Sequence, residues 1–301
     1  MSLTPDHESI RRRAGRNWLA RGGGDGFDRE DWIMAETALF LEMNYDAVSY
    51  AYIECDEVLN QSSDPTCRFC DLKRGSESKI LKKNGDPHIV RLSARNSHTV
   101  PTFLGNRKLY SNDECKVCNE IVFSRYENAI KTYLSPFLDI EEIHGRSGTV
   151  PYVPKDGDKP KTGTYRPEWV QKSLVKMAIG IAPANRISDF ADTKQWLQDF
   201  KRELPNAVKC SHPIFSSIEC LPKGPRPCSI TLFCKKNDDE KLISYIFVLQ
   251  MKTISIQLVV PFTEPDKRLE TDIYLPIVPT FPNFLFLPPK RIPNLFGLAM
   301  V

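Results

Sequence analysis

Apolar side chains recur at helical spacing in four stretches of the chain. The hydrophobic positions of DREDWIMAETALFLEM, with acidic residues in the first turn, predict a helix over 28–43. A second apolar stripe predicts a helix over 119–134, which we expect Pro136 to close. Two further helices are predicted over 167–182 and 189–204.

β-Branched and aromatic residues mark the predicted strands. A strand-like segment lies at 48–59, and two short ones, separated by turn-forming residues, lie at 86–93 and 96–101. Three strongly apolar runs follow towards the C-terminus: CSITLFCKK, KLISYIFVLQ and TISIQLVVPF. Helices and strands that occupy largely separate parts of the chain indicate an α+β fold.

Composition predicts five successive segments. Residues 1–27, which contain RGGGDG, are expected to form a flexible N-terminal arm, and 28–140 a cysteine-containing module with its preceding helix. The Gly-, Pro- and Lys-rich segment 141–166 predicts a linker or exposed loop. A helical connector is expected over 167–205 and a β-rich, mixed C-terminal domain over 206–301.

The overall composition limits the class of protein. With 41% hydrophobic and 26% charged residues the chain is typical of a globular protein. No apolar run reaches the roughly 18–20 residues that a membrane span needs, and the N-terminus lacks the apolar core of a secretory signal. Nine cysteines in 301 residues are too few for a disulfide scaffold, which favours a reducing, cytoplasmic location.

The distribution of charge is more informative than its total. The formal net charge is only +3, but the segment from Cys67 to Lys131 contains 13 Lys and Arg against 7 Asp and Glu. A locally basic surface suits a polyanion, and a solvated basic face is the alternative interpretation.

Two Cys-x-x-Cys pairs provide the strongest motif in the chain. Cys67 and Cys70 form the first pair, and Cys115 and Cys118 form the second. Four thiolates at this spacing predict a tetrahedral structural Zn²⁺ site that ties distant segments together. Such a zinc has no open coordination position for water, so we do not expect it to be catalytic.

The residues around the second pair resemble the HNH endonucleases, in particular the branch with two Cys-x-x-Cys knuckles. The resemblance rests on the histidine of SHTVP, the LGN turn, CKVCN, and a helix that carries RYENAI, and it extends from Cys67 to Leu138. It implies a zinc-stapled ββα-metal module, in which two strands and a helix surround one divalent ion. The implied activity is hydrolysis of DNA phosphodiester bonds.

The resemblance also assigns roles to individual residues. His98 would be the general base that activates water, a role that suits a neutral imidazole. Asn119, directly after the second knuckle, would orient the loop or the base. Glu127 would bind the catalytic Mg²⁺ or Mn²⁺ from the helix, with Asn128 as the alternative, because successive helical residues face different directions.

One position departs from the HNH pattern. Ser97 stands where these endonucleases carry an acidic residue or a histidine before the base. A hydroxyl is a poor ligand for Mg²⁺, so the ion could be held loosely, be carried by substrate phosphates, or be missing. His88 could supply the missing ligand or be an ordinary strand residue.

Basic side chains beside the module are expected to contact DNA phosphates without reading sequence. They are Arg95, Arg107, Lys108 and Arg125. A rival hypothesis keeps the zinc clip but makes the chain a nucleic-acid-binding or interaction protein whose catalytic site has decayed. A homodimer stays open, and no membrane partner is expected.

Overall fold

Helices and strands combine in a mixed α+β fold. Among the residues that the computed structural model describes there are five α-helices: α1 His7–Ala20, α2 Asp28–Asn44, α3 Ser124–Ile140, α4 Pro167–Ile181 and α5 Ala191–Gln198. None of these described helices is long and apolar enough to cross a bilayer. The structure describes residues 3–20, 22–24, 26, 28–53, 58–59, 66–81, 84–91, 97–106, 109–140, 166–199, 214–218, 228–251, 254–269, 272–275 and 290–293.

The described strands form one larger sheet and three small ones. The strands are β1 Tyr45–Tyr52, β2 Val58–Leu59, β3 Glu77–Leu81, β4 Pro87–Ile89, β5 Ser97–His98, β6 Tyr110–Ser111, β7 Ile214–Ile218, β8 Ser229–Lys235, β9 Tyr245–Met251, β10 Ile254–Val259, β11 Asp272–Leu275 and β12 Lys290–Pro293. The larger sheet has the order β1-β8-β9-β10-β7, and its β9–β10 and β10–β7 pairs are antiparallel. In the sheet β2-β6-β5, β5 runs antiparallel to β6. The antiparallel pairs β3–β4 and β11–β12 complete the set.

The chain divides into two compact units. Unit 1 comprises Met1–Val48, Pro205–Arg226 and Thr231–Val301, and unit 2 comprises Ser49–Leu204 and Pro227–Ile230. The cysteine module therefore groups with α4 and α5, which were expected to form a separate connector. Helix α2, which was expected to belong with the cysteine module, groups with β9 and β10 instead.

Helix α1 replaces most of the flexible arm expected over 1–27. Asp6 precedes the helix and accepts hydrogen bonds from the Ser9 amide at 2.9 Å and the Ser9 hydroxyl at 2.7 Å, which stabilises the first turn. Ile10 is buried, and α1 packs against α2. The arginines that made this segment look like an arm lie mostly on the exposed side of a two-helix hairpin.

The three apolar runs predicted as strands are confirmed as β8, β9 and β10. Their inward side chains pack with α2 in the core of unit 1. The runs are continuous rather than alternating because both faces of these strands are buried. This cluster contains Phe40, Leu41, Tyr45, Leu242, Ile243, Ile246, Val248 and Val259.

Pro136 does not end α3 as expected, because the helix continues to Ile140. A proline lacks the amide that would donate to the carbonyl four residues earlier, here that of Thr132. The Ser135 hydroxyl donates to that carbonyl at 3.0 Å and satisfies it. The loss of one backbone hydrogen bond is thus compensated locally.

Candidate functional site

The four predicted cysteines come together in unit 2. The Sγ atoms of Cys67, Cys70, Cys115 and Cys118 all lie within 4.8 Å of one another, with Cys67–Cys118 at 4.0 Å and Cys70–Cys115 at 3.8 Å. A tetrahedral ion with metal–sulfur bonds of about 2.3 Å requires sulfur–sulfur separations of about 3.8 Å. The cluster could therefore hold a metal ion, and among the described residues it is the one group of cysteine, histidine and acidic side chains with this property.

Backbone amides support the sulfurs of the cluster. The Cys115 amide donates to Cys67 Sγ at 3.3 Å, and the Cys118 amide donates to Cys115 Sγ at 3.4 Å. Hydrogen bonding with Cys115 lowers the pKa of the Cys70 thiol, and hydrogen bonding with Cys118 lowers that of Cys115. Hydrogen bonds with Cys115, Cys67 and Cys70 raise the pKa of the Cys118 thiol well above its usual value. The amide donors favour the thiolates that a metal needs.

The second cysteine pair leads directly into the helix that carries the predicted site residues. A π-helical turn, Cys118–Phe123, follows the knuckle and continues as α3. Phe123 is buried and packs edge-on against Phe69 of the first knuckle, with ring centroids 4.8 Å apart. The cysteine cluster thus fixes where α3 begins.

Helix α5 contacts the cysteine cluster and the residue next to it. The Gln198 amide donates to Cys118 Sγ at 3.4 Å. Lys194 pairs with Asp71, next to Cys70, at 2.6 Å. Sequence alone does not place either residue at the cysteine cluster, because nothing in a helix 70 or more residues downstream shows that it will pack there.

Arg68, between the first two cysteines, joins the cluster to α4. Its side chain is 2% exposed and pairs with Asp113 at 2.7 Å. One guanidinium nitrogen also donates to the Ile179 and Ala182 carbonyls, both at 2.7 Å. A cation at the C-terminal end of a helix satisfies carbonyls that lack a helical partner. Arg68 is therefore an internal structural residue rather than part of a basic surface.

His98 lies on a short antiparallel pair of strands next to the cluster. In the β5–β6 pair His98 is opposite Tyr110, and their ring centroids are 4.6 Å apart. Ser97, directly before it, is fully buried, and its hydroxyl has no hydrogen-bond partner among the described residues. Ser97 therefore points into the protein, whereas His98 is half-buried and closer to the surface.

Asn106, rather than the predicted Asn119, holds the loop between β5 and β6. The buried Asn106 amide donates to the Val100 carbonyl at 2.6 Å and to the Leu109 carbonyl at 3.1 Å, and its oxygen accepts from the Leu109 amide at 2.9 Å. Asn119 is half-buried, and its side chain makes no hydrogen bond to another described residue. The asparagine of LGN could have been chosen from sequence, since an asparagine after a turn glycine often bonds nearby backbone.

Lys176 of α4 connects the His98 strand to α3. Its ammonium is fully buried and donates to the His98 carbonyl at 2.7 Å. It lies 3.4 Å from a Glu127 oxygen and 3.4 Å from a Glu114 oxygen. The motif alone gave no indication of Lys176 or Glu114.

The charges of Glu114, Lys176 and Glu127 influence the pKa values of Glu114 and Lys176. Burial raises the pKa of Glu114 to about 7, although Lys176 acts against this. Burial opposes a charged Lys176, but the Glu114 and Glu127 carboxylates outweigh it and raise the pKa of the ammonium. Lys176 is therefore a cation throughout the neutral range.

The other predicted residues fall in different places. Glu127 turns inward to Lys176, whereas Asn128 and Arg125 are exposed. His88 lies in β4, which pairs with β3 and not with the His98 strand. Three of the predicted phosphate contacts lie outside the described residues: Arg95, Arg107 and Lys108.

A family of unknown function matches the N-terminal helices. The model described as "Protein of unknown function (DUF2934)" matches residues 5–40, which include α1 and most of α2. The matched residues lie in unit 1 and contain no residue of the cysteine cluster. No curated protein and no solved structure matches the chain.

Proposed function

We propose that this chain is an HNH-type endonuclease that hydrolyses DNA phosphodiester bonds, with His98 as the general base. One observation carries the proposal: Lys176 contacts both the His98 carbonyl and the Glu127 carboxylate. The strand with the proposed base and the helix with the proposed acidic group therefore converge on one point. An HNH-type site needs this strand and this helix side by side, and the shared contact with Lys176 supports that arrangement.

Within this proposal the metal of the cysteine cluster is a structural Zn²⁺. Four thiolates with tetrahedral spacing suit zinc, and they leave no position for a reacting water. The cluster fixes the start of α3, and Arg68 and Gln198 tie it to α4 and α5. Its contribution to catalysis is to keep α3 beside the His98 strand.

His98 would take a proton from the water that attacks the phosphate. The Tyr110 ring lies against its imidazole, and Asn106 fixes the loop that follows it. Both contacts limit the orientations open to the imidazole, and a base held in position loses less entropy on reaching the transition state. A divalent ion, Mg²⁺ or Mn²⁺, would stabilise the charge that develops on the phosphate.

DNA is the proposed substrate because the exposed part of this module carries several cations. Arg125 and Lys131 lie exposed on α3, the helix that bears Glu127, and Arg74 lies exposed beside the first knuckle. Side chains of this kind bind phosphates regardless of sequence.

Cleavage of supercoiled plasmid in Mg²⁺ or Mn²⁺ tests the proposal. We expect His98→Ala to reduce nicking by about 100-fold or more, the usual contribution of a general base. His88→Ala is the matched control, since it removes a half-buried histidine of the same unit from a different strand pair. Equal nicking by both variants, with unchanged zinc content, would count against His98 as the base.

The alternative is a zinc-stapled protein that binds nucleic acid without cutting it. The observation in its favour is the Lys176 ammonium beside Glu127, where the resemblance implies a divalent ion. Equal DNA binding by wild type and His98→Ala, with no cleavage by either in any divalent ion, would favour this alternative.

A further inference from the structure

Charged and polar groups from three separate segments of unit 2 meet at the Lys176 ammonium. Glu114 precedes the second knuckle, Glu127 lies on α3, and the His98 carbonyl belongs to β5. The ammonium is 3.4 Å from one oxygen of each carboxylate and 2.7 Å from the carbonyl. Three oxygens therefore surround one positive charge.

Glu114 shows that these oxygens need a cation. Its side chain is fully buried, and neither of its oxygens makes a hydrogen bond to a described residue. Its ion pair with Lys176 supplies the compensating charge. A buried carboxylate without hydrogen-bond donors is strongly unfavourable unless a cation lies beside it.

We infer that Glu114, Glu127 and the His98 carbonyl form a buried cation site, and that the ammonium of Lys176 is its resident cation. In the proposed nuclease, Glu127 then neutralises a lysine instead of binding Mg²⁺ or Mn²⁺. Lys176 is a positioning residue that holds the backbone of the proposed base through the His98 carbonyl. This inference deepens the proposed function, but it rests on contacts that exist whether or not the chain cuts DNA.

Electrostatic repulsion prevents a divalent ion and the Lys176 ammonium from occupying this site together. A divalent ion bound to Glu127 would lie a few ångströms from the Lys176 ammonium, in surroundings that screen charge poorly. Lys176 is fully buried, and its ammonium contacts three oxygens from three segments, so it has little freedom to withdraw. Removal of the ammonium should therefore open the oxygens to a divalent ion.

Lys172 provides a matched control on the same helix. It lies one turn before Lys176 and is also fully buried. Its ammonium donates to the Asp199 carbonyl at 2.7 Å and lies 4.8 Å from the centre of the Trp196 ring. Substitution of Lys172 removes an equally buried ammonium without touching the proposed cation site.

The test measures Mn²⁺ binding to the full, zinc-loaded chain by electron paramagnetic resonance and by thermal unfolding. We expect Lys176→Ala to bind Mn²⁺ about tenfold or more tightly than wild type, and its melting temperature to rise with Mn²⁺. Adding Glu127→Gln to Lys176→Ala should abolish the gain, and Lys172→Ala should not show it.

Two results would overturn the inference. One is a wild type that Mn²⁺ stabilises, with the effect lost in Glu127→Gln, because the ion would then bind Glu127 while Lys176 is present. The other is a folded Lys176→Ala that gains no Mn²⁺ affinity. If Lys176→Ala does not fold, Lys176→Gln takes its place, and the comparison of wild type with Glu127→Gln still decides. Neither readout uses cleavage, so an inactive nuclease would leave this inference standing.

Discussion

Unit 1 and unit 2 both bury charged side chains, but the partners of those side chains lie at different distances along the chain. In unit 1 the described hydrogen-bond partners of Lys235 and Asp266 lie at most 22 residues away. Lys235 donates to the Asp239 carbonyl at 3.0 Å, and Asp266 accepts from the Thr263 hydroxyl at 2.7 Å. Each contact closes a turn at the edge of an apolar core.

In unit 2 the buried charges join remote segments. Arg68 reaches the Ala182 carbonyl, 114 residues away, and Lys176 reaches the His98 carbonyl, 78 residues away. Buried ion pairs contribute little net stability compared with well-packed apolar groups, but breaking one is strongly unfavourable. Unit 2 therefore uses buried charges, together with the cysteine cluster, to join segments that lie far apart in the chain, whereas Lys235 and Asp266 of unit 1 join nearer ones.

Loss of the proposed metal should produce the largest difference in stability between the two units. Structural zinc contributes on the order of 10 kcal/mol to the folding of small zinc domains. We expect Cys67→Ser to lose the bound metal and to unfold the cysteine module. Cys234→Ser, which alters a buried thiol in unit 1 outside the cluster, is the control. Metal analysis and circular dichroism melts on both variants check the prediction, and equal metal content in the two would contradict it.

Breaking the Arg68 contacts should come next. Arg68→Met leaves Asp113 buried without its cation and two α4 carbonyls without a donor, so we expect a loss of about 3–5 kcal/mol in the free energy of unfolding. Ile246→Val in the core of unit 1 should lower it by about 1 kcal/mol. Urea titrations of both variants test the difference, with the exposed Arg74→Met as a control. A milder effect for Arg68→Met than for Ile246→Val would refute the proposed contrast.

Substitution of Gly180 should have an effect of intermediate size on stability. A β-carbon at Gly180 would lie 2.6 Å from the Thr99 methyl group, which is buried and β-branched and so cannot easily move. We expect Gly180→Ala to destabilise the protein by about 1–3 kcal/mol. Gly15 is also helical but has no atom within 4 Å, so Gly15→Ala should stabilise by about 0.5–1 kcal/mol. Thermal melts should thus shift in opposite directions, and a shared direction would argue against close packing of α4 on the β5 loop.

The same contrast explains what could be predicted from sequence. The apolar runs of β8, β9 and β10 and the stripe of α2 were predictable, because burial of one core imposes a regular pattern. The cysteine cluster was predictable because metal geometry restricts ligand spacing.

The surroundings of His98 could not be predicted in the same way. In the sequence QKSLVKMAIG, Lys172 and Lys176 look like the solvent-facing side of an amphipathic helix, yet every residue from Val170 to Ile181 is buried. Only tertiary packing reveals this. For the same reason Arg68 was counted among the residues of a basic segment, and Asn119 was expected to orient the loop or the base from its position directly after the second knuckle.

The smallest expected effect concerns the carboxyl group of Asp266 in unit 1. Burial raises the pKa of Asp266 above its usual 3.8, and hydrogen bonds from Ser244 and Thr263 reduce this only in part. A carboxyl group with a raised pKa contributes stability below its unfolded pKa and loses that contribution as pH rises through the folded value. The free energy of unfolding of wild type relative to Asp266→Asn should therefore fall as pH increases from 3.8 towards neutrality. Urea titrations of both proteins across this range give the difference directly, and a constant difference would show that Asp266 titrates normally.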